Sequence, residues 1–355
     1  MPRTGNNGKN DNGSQGTPRL KDIAGRLGIS TASVSRALNN KPGVATDLRR
    51  QVLELAAEMN FTPNQAARSL NGAGTFTIAF VFHQHDLPVS SDTFYLSILR
   101  GVERELATEG YHVMLNTADN SITKADHLRV VHDRLVDGLI MAGPDLDPKL
   151  VLSVAQRGLP MVLVDNSLER TPLDCVVCDD RGGARSAVEH LIWHGHRRIA
   201  FAGGPETWAS TRERKAGYLE TMRQAGLEPV AVHESATNTL TGVSAGHKLF
   251  AMDPRPTAVF AVNDAMAIGV IRAARRAGLS VPKDVAVVGF DDVSMAESAD
   301  PPLTTVRIAK ELMGNLAARR LLSLLADKQP ADVTPVKSLV GTMLIVRSSC
   351  GCVAE

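Results

Sequence analysis

Residues 20–40, LKDIAGRLGISTASVSRALNN, constrain this chain more than any other stretch. Ile23, Ala24 and Leu27 recur at helical spacing, and so do Val34 and Leu38. Gly28-Ile29 joins the two patterns, and Ser30 stands where a side chain caps the second helix. The other face of that second helix carries Thr31, Ala32, Ser33, Ser35 and Arg36. These side chains are small or hydrogen-bonding, with one guanidinium. A helix with that face can lie in a major groove about 12 Å wide and read base edges. The pattern is a helix-turn-helix, whose second helix presents its N-terminal residues to DNA. A plain αα-hairpin buried in a core is the alternative, because helix-turn-Gly-helix is a common arrangement.

A third helical pattern begins near Thr46 and places Leu48, Val52, Leu55, Ala56 and Met59 on one side. Thr62-Pro63-Asn64 then stops the chain and restarts a short helix over residues 65–70, ending at Asn71-Gly72. Charge agrees with a nucleic-acid partner at this end. Residues 1–74 hold ten Lys/Arg against five Asp/Glu, whereas the remainder holds 29 against 33. Phosphate neutralisation needs that excess on the reading segment. Residues 1–17, rich in Gly and Asn, read as a disordered tail with no apolar signal segment. No apolar run approaches 18 residues, so no membrane partner is expected. The four cysteines suggest thiols in a reducing cytoplasm. Cys175 and Cys178 fall on an apparent strand, where an offset of three points them to opposite faces.

Beyond residue 75, strand patterns alternate with amphipathic helices. The strands fall at 77–82, 112–116, 138–142, 160–165, 175–178, 198–202, 258–262, 285–290 and 339–347. Helices fall at 96–109, 183–194, 211–225, 265–277 and 311–326. That alternation predicts an α/β fold, a parallel sheet with helices on both faces, too long for one sheet and so divided in two.

The strings VSRALN and FTPNQAARSL, with their spacing, closely resemble the LacI/GalR (lactose-repressor) family of bacterial transcription regulators. Further landmarks spread the resemblance over nearly the whole chain: GYHVML (110–115), VDGLI (136–140), GHRRIA (195–200), RKAGY (214–218), VNDAMA (262–267), VGFDD (288–292) and PPLTTV (301–306). The resemblance implies an N-terminal three-helix DNA-binding domain over 18–62 and a hinge helix and linker over 63–74. A periplasmic-binding-protein type I-like core follows over 75–355. Its two Rossmann-like subdomains would comprise about 75–165 plus 305–330 and about 176–290 plus 340–355, with crossings near 166–176, 290–305 and 330–340.

It also implies a homodimer on a pseudo-palindromic operator in double-stranded DNA, acting in the sense of a repressor, with a small-molecule effector, a sugar or related metabolite, in the core cleft. Asn64, Ala67 and Leu70 join the recognition-helix residues as DNA contacts, and Leu70 resembles the family's minor-groove wedge. Arg19 departs from the usual Thr or Ser cap, which suggests a phosphate contact instead. Thr31 and Ala32 occupy the operator-discriminating positions, and Arg36 can pair with guanine or phosphate.

Ligands of open α/β sheets bind beyond the carboxyl ends of strands. Asp165, Asn263-Asp264, Asp291-Asp292 and His83-Gln84-His85 stand at such ends. The resemblance carries effector contacts onto Asp165, Arg214 and Asp264, and further onto His83, Phe94, Tyr95 and Asn263, with Arg212 competing with Arg214. Each has a structural alternative: Asp165 and Asp264 as caps, Arg214 as a surface residue, Phe94 and Tyr95 as core. Asp291 and Asp292 read as structural. Thr241 stands where relatives place a pocket aromatic, and Trp208 is a substitute from another loop. If Arg214 and Asp264 serve the effector alone, Arg214→Ala and Asp264→Asn leave effector-free operator binding near wild type. His190, His194 and His196 lack the further ligands that a zinc site needs, so no metal is expected. No phosphate loop, nucleophile elbow or HExxH motif occurs, so neither an enzyme nor a cofactor is expected. A transporter's solute-binding protein would share the core, but residues 1–72 argue against it.

Overall fold

The structure, a computed structural model, describes residues 18–38, 41–61, 74–83, 93–119, 121–168, 170–327 and 334–351. The chain falls into two compact units, Met1–Thr75 and Phe76–Glu355.

In the first unit, α1 (Leu20–Leu27) ends because Gly28 takes a left-handed φ of 64°, a conformation glycine adopts without a steric penalty. The turn aims Ile29 N–H back at the Ala24 carbonyl, 3.0 Å away. Ser30 Oγ accepts the Ser33 N–H at 3.1 Å and caps α2 (Thr31–Leu38), as its position predicts. The third helix, α3 (Thr46–Glu58), completes the bundle. Ile23, Val34 and Val52, one from each helix, are fully buried, with Ala24, Ala37 and Ala56 beside them. The expected positions Leu48, Leu55 and Met59 pack partly buried against this core. Arg49 donates to the Lys41 carbonyl at 2.7 Å and ties α3 to the preceding loop. The hinge residues Asn64, Ala67 and Leu70 lie outside the described residues.

The second unit opens with β1 (Thr77–His83), α4 (Thr93–Thr108) and β2 (His112–Ala118). Then come a short α5 (Arg129–His132), β3 (Gly138–Ala142), α6 (Pro148–Gln156), β4 (Met161–Val164) and β5 (Cys175–Cys178). Next are α7 (Asp180–Trp193), β6 (Ile199–Gly203), α8 (Ala209–Gln224), β7 (Val230–His233), α9 (Thr239–Phe250), β8 (Ala258–Ala261) and α10 (Asp264–Arg276). The unit closes with β9 (Ala286–Val288), α11 (Ser294–Ser298), β10 (Thr305–Ile308), α12 (Lys310–Ala326), β11 (Lys337–Val340) and β12 (Thr342–Ile345).

Two parallel sheets result, ordered β11-β5-β4-β3-β1-β2 and β7-β6-β8-β9. The central strand β1 is buried from Ile78 to Phe82, the continuous apolar run of a sheet covered on both faces. Ile78, Phe80 and Phe82 pack into one core, and Ala79 and Val81 into the other, as a two-residue period requires. Cys178 and Cys175 divide between the same two cores, on opposite faces as expected. α4 and α12 lie over the first face and touch closely. A Cβ at Gly101 would overlap the Glu311 carbonyl, and one at Gly314 the Ile98 carbonyl. In the second sheet the buried Tyr218 hydroxyl donates to the Ile199 carbonyl at 2.8 Å and accepts from the Val230 N–H at 2.8 Å. It thereby pins the edge strand β7 to β6.

Two features differ from the sequence expectation. Residues 175–178 pair with β4 and β11 in the six-stranded sheet instead of opening the second subdomain at 176. The apolar run 339–347 is two strands, not one. It breaks at Gly341, so that β11 joins the first sheet and β12 pairs antiparallel with β10. An apolar run carries no mark of which sheet each half enters. β7, an edge strand with no fully buried residue, and β10, with Thr305 and Arg307 among its four residues, lack the continuous apolar run that marks the other strands.

Candidate DNA-reading face and effector cleft

On α2, Thr31, Ala32 and Arg36 are exposed, Ser33 and Ser35 are half-buried, and Val34 and Ala37 face the core. The helix therefore shows solvent the residue types that the sequence assigns to base edges. Ser33 differs from the other four. Its hydroxyl lies 2.9 Å from Ser30 Oγ, so it shares in the cap. At the start of α1 the Asp22 carboxylate accepts the Arg19 N–H at 2.7 Å. The Asp22 N–H in turn donates to the Arg19 carbonyl at 2.8 Å, and no side chain at position 19 takes the part of a Thr or Ser cap.

In the second unit, one guanidinium organises the polar centre. Arg214, on α8, is 4% exposed. Its Nε donates to Asp180 Oδ1 at 2.7 Å, and its Nη1 to the Val262 carbonyl at 2.6 Å. Nη1 also lies 3.2 Å from Asp291 Oδ1, and the guanidinium carbon sits 3.8 Å above the Phe290 ring. Burial works against this charge, but the Asp180 and Asp291 carboxylates outweigh it and raise the pKa further. The surface alternative for Arg214 is excluded.

Asp264 starts α10. Its Oδ2 accepts the Val293 N–H at 2.9 Å, and its Oδ1 accepts the Thr305 hydroxyl at 2.5 Å. It therefore clamps α10 to the crossing segment instead of capping its own helix. The cap is Asn263, whose Oδ1 accepts the Met266 N–H at 2.9 Å and whose Nδ2 donates to the Thr237 carbonyl at 3.0 Å. Burial, then the neighbouring Asp291 charge, pushes the Asp264 carboxyl up to about 8. Asp291 itself rises to about 6 through burial, with Arg214 and Lys310 opposing.

Asp165 follows β4 with a left-handed φ of 55° and is 9% exposed. Burial, then the Asp180 charge, raises its pKa well above the carboxylate range, with Arg214 opposing. Its neighbour Asn166 donates to the Gly143 carbonyl at 2.7 Å. On the same side His83 Nδ1 lies 3.5 Å from Asp145 Oδ2. Tyr95 is buried and stacked on Phe82 at 5.8 Å, with its hydroxyl beside Gly143. Phe94 meets Tyr95 edge-on at 5.2 Å and lies 5.9 Å from Lys310 Nζ.

Asp165, Arg214 and Asp264 thus meet around Asp180 and Asp291, and His83 and Tyr95 border the Asp145 side. Arg212 lies on the same helix, two residues before Arg214. Its Nη1 donates to the carbonyls of Glu206 and Thr207, at 3.2 and 2.7 Å, and braces the loop before α8. Thr241 is occupied as well. It forms a reciprocal cap with Asn238, its N–H donating to Asn238 Oδ1 at 3.0 Å, so it does not act as a stand-in for a pocket aromatic. Sequence reasoning passed over Asp145 and Asp180 and set Asp291 aside. The signal was present: all three follow strand ends.

Asp292 belongs to the crossing itself. Arg307 Nε and Arg347 Nη2 donate to its two oxygens at 2.6 and 2.7 Å. Burial opposes its charge, but those two bonds outweigh it and lower the pKa. The structural reading of Asp292 holds. Lys310 donates to the Asp291 and Asp292 carbonyls, the latter at 3.1 Å. Among the described residues no cluster of three His, Cys, Asp or Glu can hold a metal ion. His190 and His194 pack ring on ring at 4.6 Å, and His196 Nδ1 lies 3.1 Å from the Thr257 hydroxyl. No described helix is long and apolar enough to cross a membrane.

A helix-turn-helix unit and a two-sheet α/β unit with a polar centre between strand ends define a class of regulators that couple a ligand site to DNA. Comparison with known proteins gives the family. Residues 19–64 match the family of bacterial regulatory proteins described as the lacI family, and residues 188–350 match the periplasmic binding protein-like domain. The HTH-type transcriptional regulator CelR of Thermobifida fusca is 34% identical over 94% of this chain and 98% of its own. The probable HTH-type transcriptional repressor ExuR of Bacillus subtilis (strain 168) is 32% identical over 93% of this chain and 97% of its own. The solved CelR–cellobiose complex matches with a TM-score of 0.72 at 32% identity, covering 94% of this chain and 99% of that one. The Lac repressor dimer bound to operator and the anti-inducer ONPF matches with a TM-score of 0.79 at 28% identity, over 94% and 99% of the two chains. The chain belongs to the LacI family of transcription regulators, and its second unit is the family's periplasmic-binding-protein-like core.

Proposed function

We propose that this protein is a cytoplasmic transcription repressor that binds a pseudo-palindromic operator as a homodimer and senses a small molecule in its core cleft. It is not an enzyme in this reading. The observation that carries the proposal is the pairing of two sites in one chain: the capped α2, with Thr31, Ala32 and Arg36 outward, and the buried Asp165–Arg214–Asp264 centre. Thr31, Ala32, Ser35 and Arg36 read the major groove, with Ser33 chiefly supporting the helix. Asn64, Ala67 and Leu70 act at the operator centre. Asp165, Arg214 and Asp264 serve the effector, with His83, Phe94, Tyr95, Asn263 and Arg212 at its margins.

The coupling has a physical route. A ligand shifts DNA affinity only through a difference in its contacts between two core states. Asp165 follows β4 of one sheet, Arg214 lies on α8 between β6 and β7 of the other, and Asp292 is bonded to Arg307 of β10 and to Arg347 just after β12. A ligand held between them favours one spacing of the two halves. Operator selection from a random duplex pool, then anisotropy titration at several salt concentrations, tests the reading. Selected sites should show two-fold repeats, and affinity should fall steeply with salt as Lys and Arg replace counterions. Salt-independent binding, or a non-repeated site, refutes it.

A further inference from the structure

We infer that the amino-end edge of the second sheet carries a docking surface for an acidic segment of another protein, with Trp193 as its apolar anchor and Arg185, Arg197 and Arg198 as its cationic rim. The surface lies apart from the effector centre. α7 ends at Trp193 and leads into β6 at Ile199, so this face stands at the start of the strands. Asp264 and Asp291 follow β8 and β9, at the opposite, carboxyl ends.

Trp193 is 81% exposed, and no large apolar side chain among the described residues is more so. A tryptophan is ordinarily well buried, whereas most of this indole remains in water. The ring is also supported. It meets His194 edge-on at 4.7 Å, and His194 meets His190 at 4.6 Å. A large ring with only two torsions, already braced by its neighbours, loses little entropy on being covered. Trp and Arg are the side chains that most often anchor a protein interface.

Charge identifies the occupant. Beyond residue 74 the chain is acidic, with 33 Asp/Glu against 29 Lys/Arg, yet this face is basic. Arg181, at the far end of α7, pairs with Glu213 and Glu220. Arg185, Arg197 and Arg198 are exposed and have no carboxylate partner among the described residues. Arg197 Nη1 donates to the Ile192 and His196 carbonyls, at 3.0 and 3.1 Å. That sets its guanidinium beside the peptide bond joining Ile192 to Trp193, where it offsets the negative end of the helix dipole. Arg198 uses Nε on the Arg255 carbonyl at 3.0 Å. Neither bond neutralises the charge, and each leaves donors of the planar fork for a carboxylate. Glu189 is exposed one turn before Trp193 and one turn after Arg185. It disfavours a uniform polyanion such as a nucleic-acid backbone. A peptide can set an N–H donor or a lysine against it and keep its carboxylates for the arginines.

The test uses the full-length protein and a short fluorescein-labelled peptide with glutamates and aspartates around a central Phe-Leu pair. One control peptide has lysines in place of the acids, and a second has Gly-Ser in place of Phe-Leu. Anisotropy should show the acidic apolar peptide binding, more weakly as salt is added, and both controls binding far less. Trp193→Ala should weaken that binding about tenfold or more, and Arg197→Ala combined with Arg198→Ala by a similar factor, with the melting points unchanged. Absence of binding, equal binding of either control, or binding untouched by Trp193→Ala overturns the inference. So does a lower mass for Trp193→Glu in sedimentation, since a second copy of the chain would then cover this face. A loss of about tenfold in affinity for a duplex without two-fold repeats, in the double arginine variant, also overturns it, since nucleic acid would then be the occupant.

Discussion

Replacing Arg214 with Ala is expected to destabilise the core as well as blunt the effector response. The side chain is 4% exposed and holds Asp180 and Asp291 in a buried network. Removing one partner of a buried ion pair leaves a charge uncompensated and costs about 3–5 kcal/mol. Loss of the cation over the Phe290 ring, 3.8 Å away, acts in the same direction. For a unit of this size, 1 kcal/mol moves the melting point by roughly 2–4 °C, so a fall of about 6–20 °C is expected at pH 7.5. The fall should shrink at pH 5, because Asp165, Asp180 and Asp291, all raised by burial, take up protons there more readily than ordinary carboxylates. Arg214→Lys keeps the charge but loses the fork and should recover part of the loss. Calorimetry of the three proteins at both pH values measures this. A melting point for Arg214→Ala within 2 °C of wild type at pH 7.5 would refute the reasoning and restore the simpler expectation from sequence, in which the residue serves the ligand alone.

Stability of the wild-type core should fall as pH rises from about 4 towards about 8. Asp264 is raised to about 8 and Asp291 to about 6, so the native state holds protons in that window that the unfolded chain has released. Asp264→Asn should flatten that slope in urea titrations, and a parallel curve counts against it. The same variant should bind operator like wild type without effector, measured by anisotropy, yet respond weakly when effector is added. Ser30→Ala removes the acceptor for the Ser33 N–H and costs about 1 kcal/mol of helix stability. Hydrogen exchange in the full-length protein should therefore quicken several-fold across residues 31–38, and unchanged protection denies the cap any weight. Leu70→Ala should reduce operator bending, read by energy transfer between DNA ends, and an unchanged bend makes Leu70 a linker residue.

Local chemistry was legible in the chain itself. The end of α1 at Gly28, the Ser30 cap and the outward face of α2 all depend on neighbours within a few residues, so the sequence carries them in full. The central strands were legible for a similar reason, since an apolar run covered on both faces can hardly be anything else. Which sheet a strand joins was not legible. That depends on pairing across more than a hundred residues, as β11 with β5 shows, and Gly341 divides one apolar run between two partners.

The cleft divides in the same way. Asp165, Arg214 and Asp264 were visible as polar residues at strand and helix starts, and family resemblance singled them out. Sequence alone could not show that Asp180 shares Arg214, that Asp264 reaches Thr305, or that Asn263 rather than Asp264 caps α10. It likewise could not show that Arg212 donates to the loop carbonyls of Glu206 and Thr207 while Arg214, two residues on, donates to Asp180 and Val262. Those outcomes are set by packing, because burial decides which charges must find partners, and only the folded chain brings the partners within 3 Å of one another. The sequence by itself determined the reading helix and the alternation of strand and helix. Tertiary structure decided the charge balance of the cleft, through the desolvation of four carboxylates around one guanidinium.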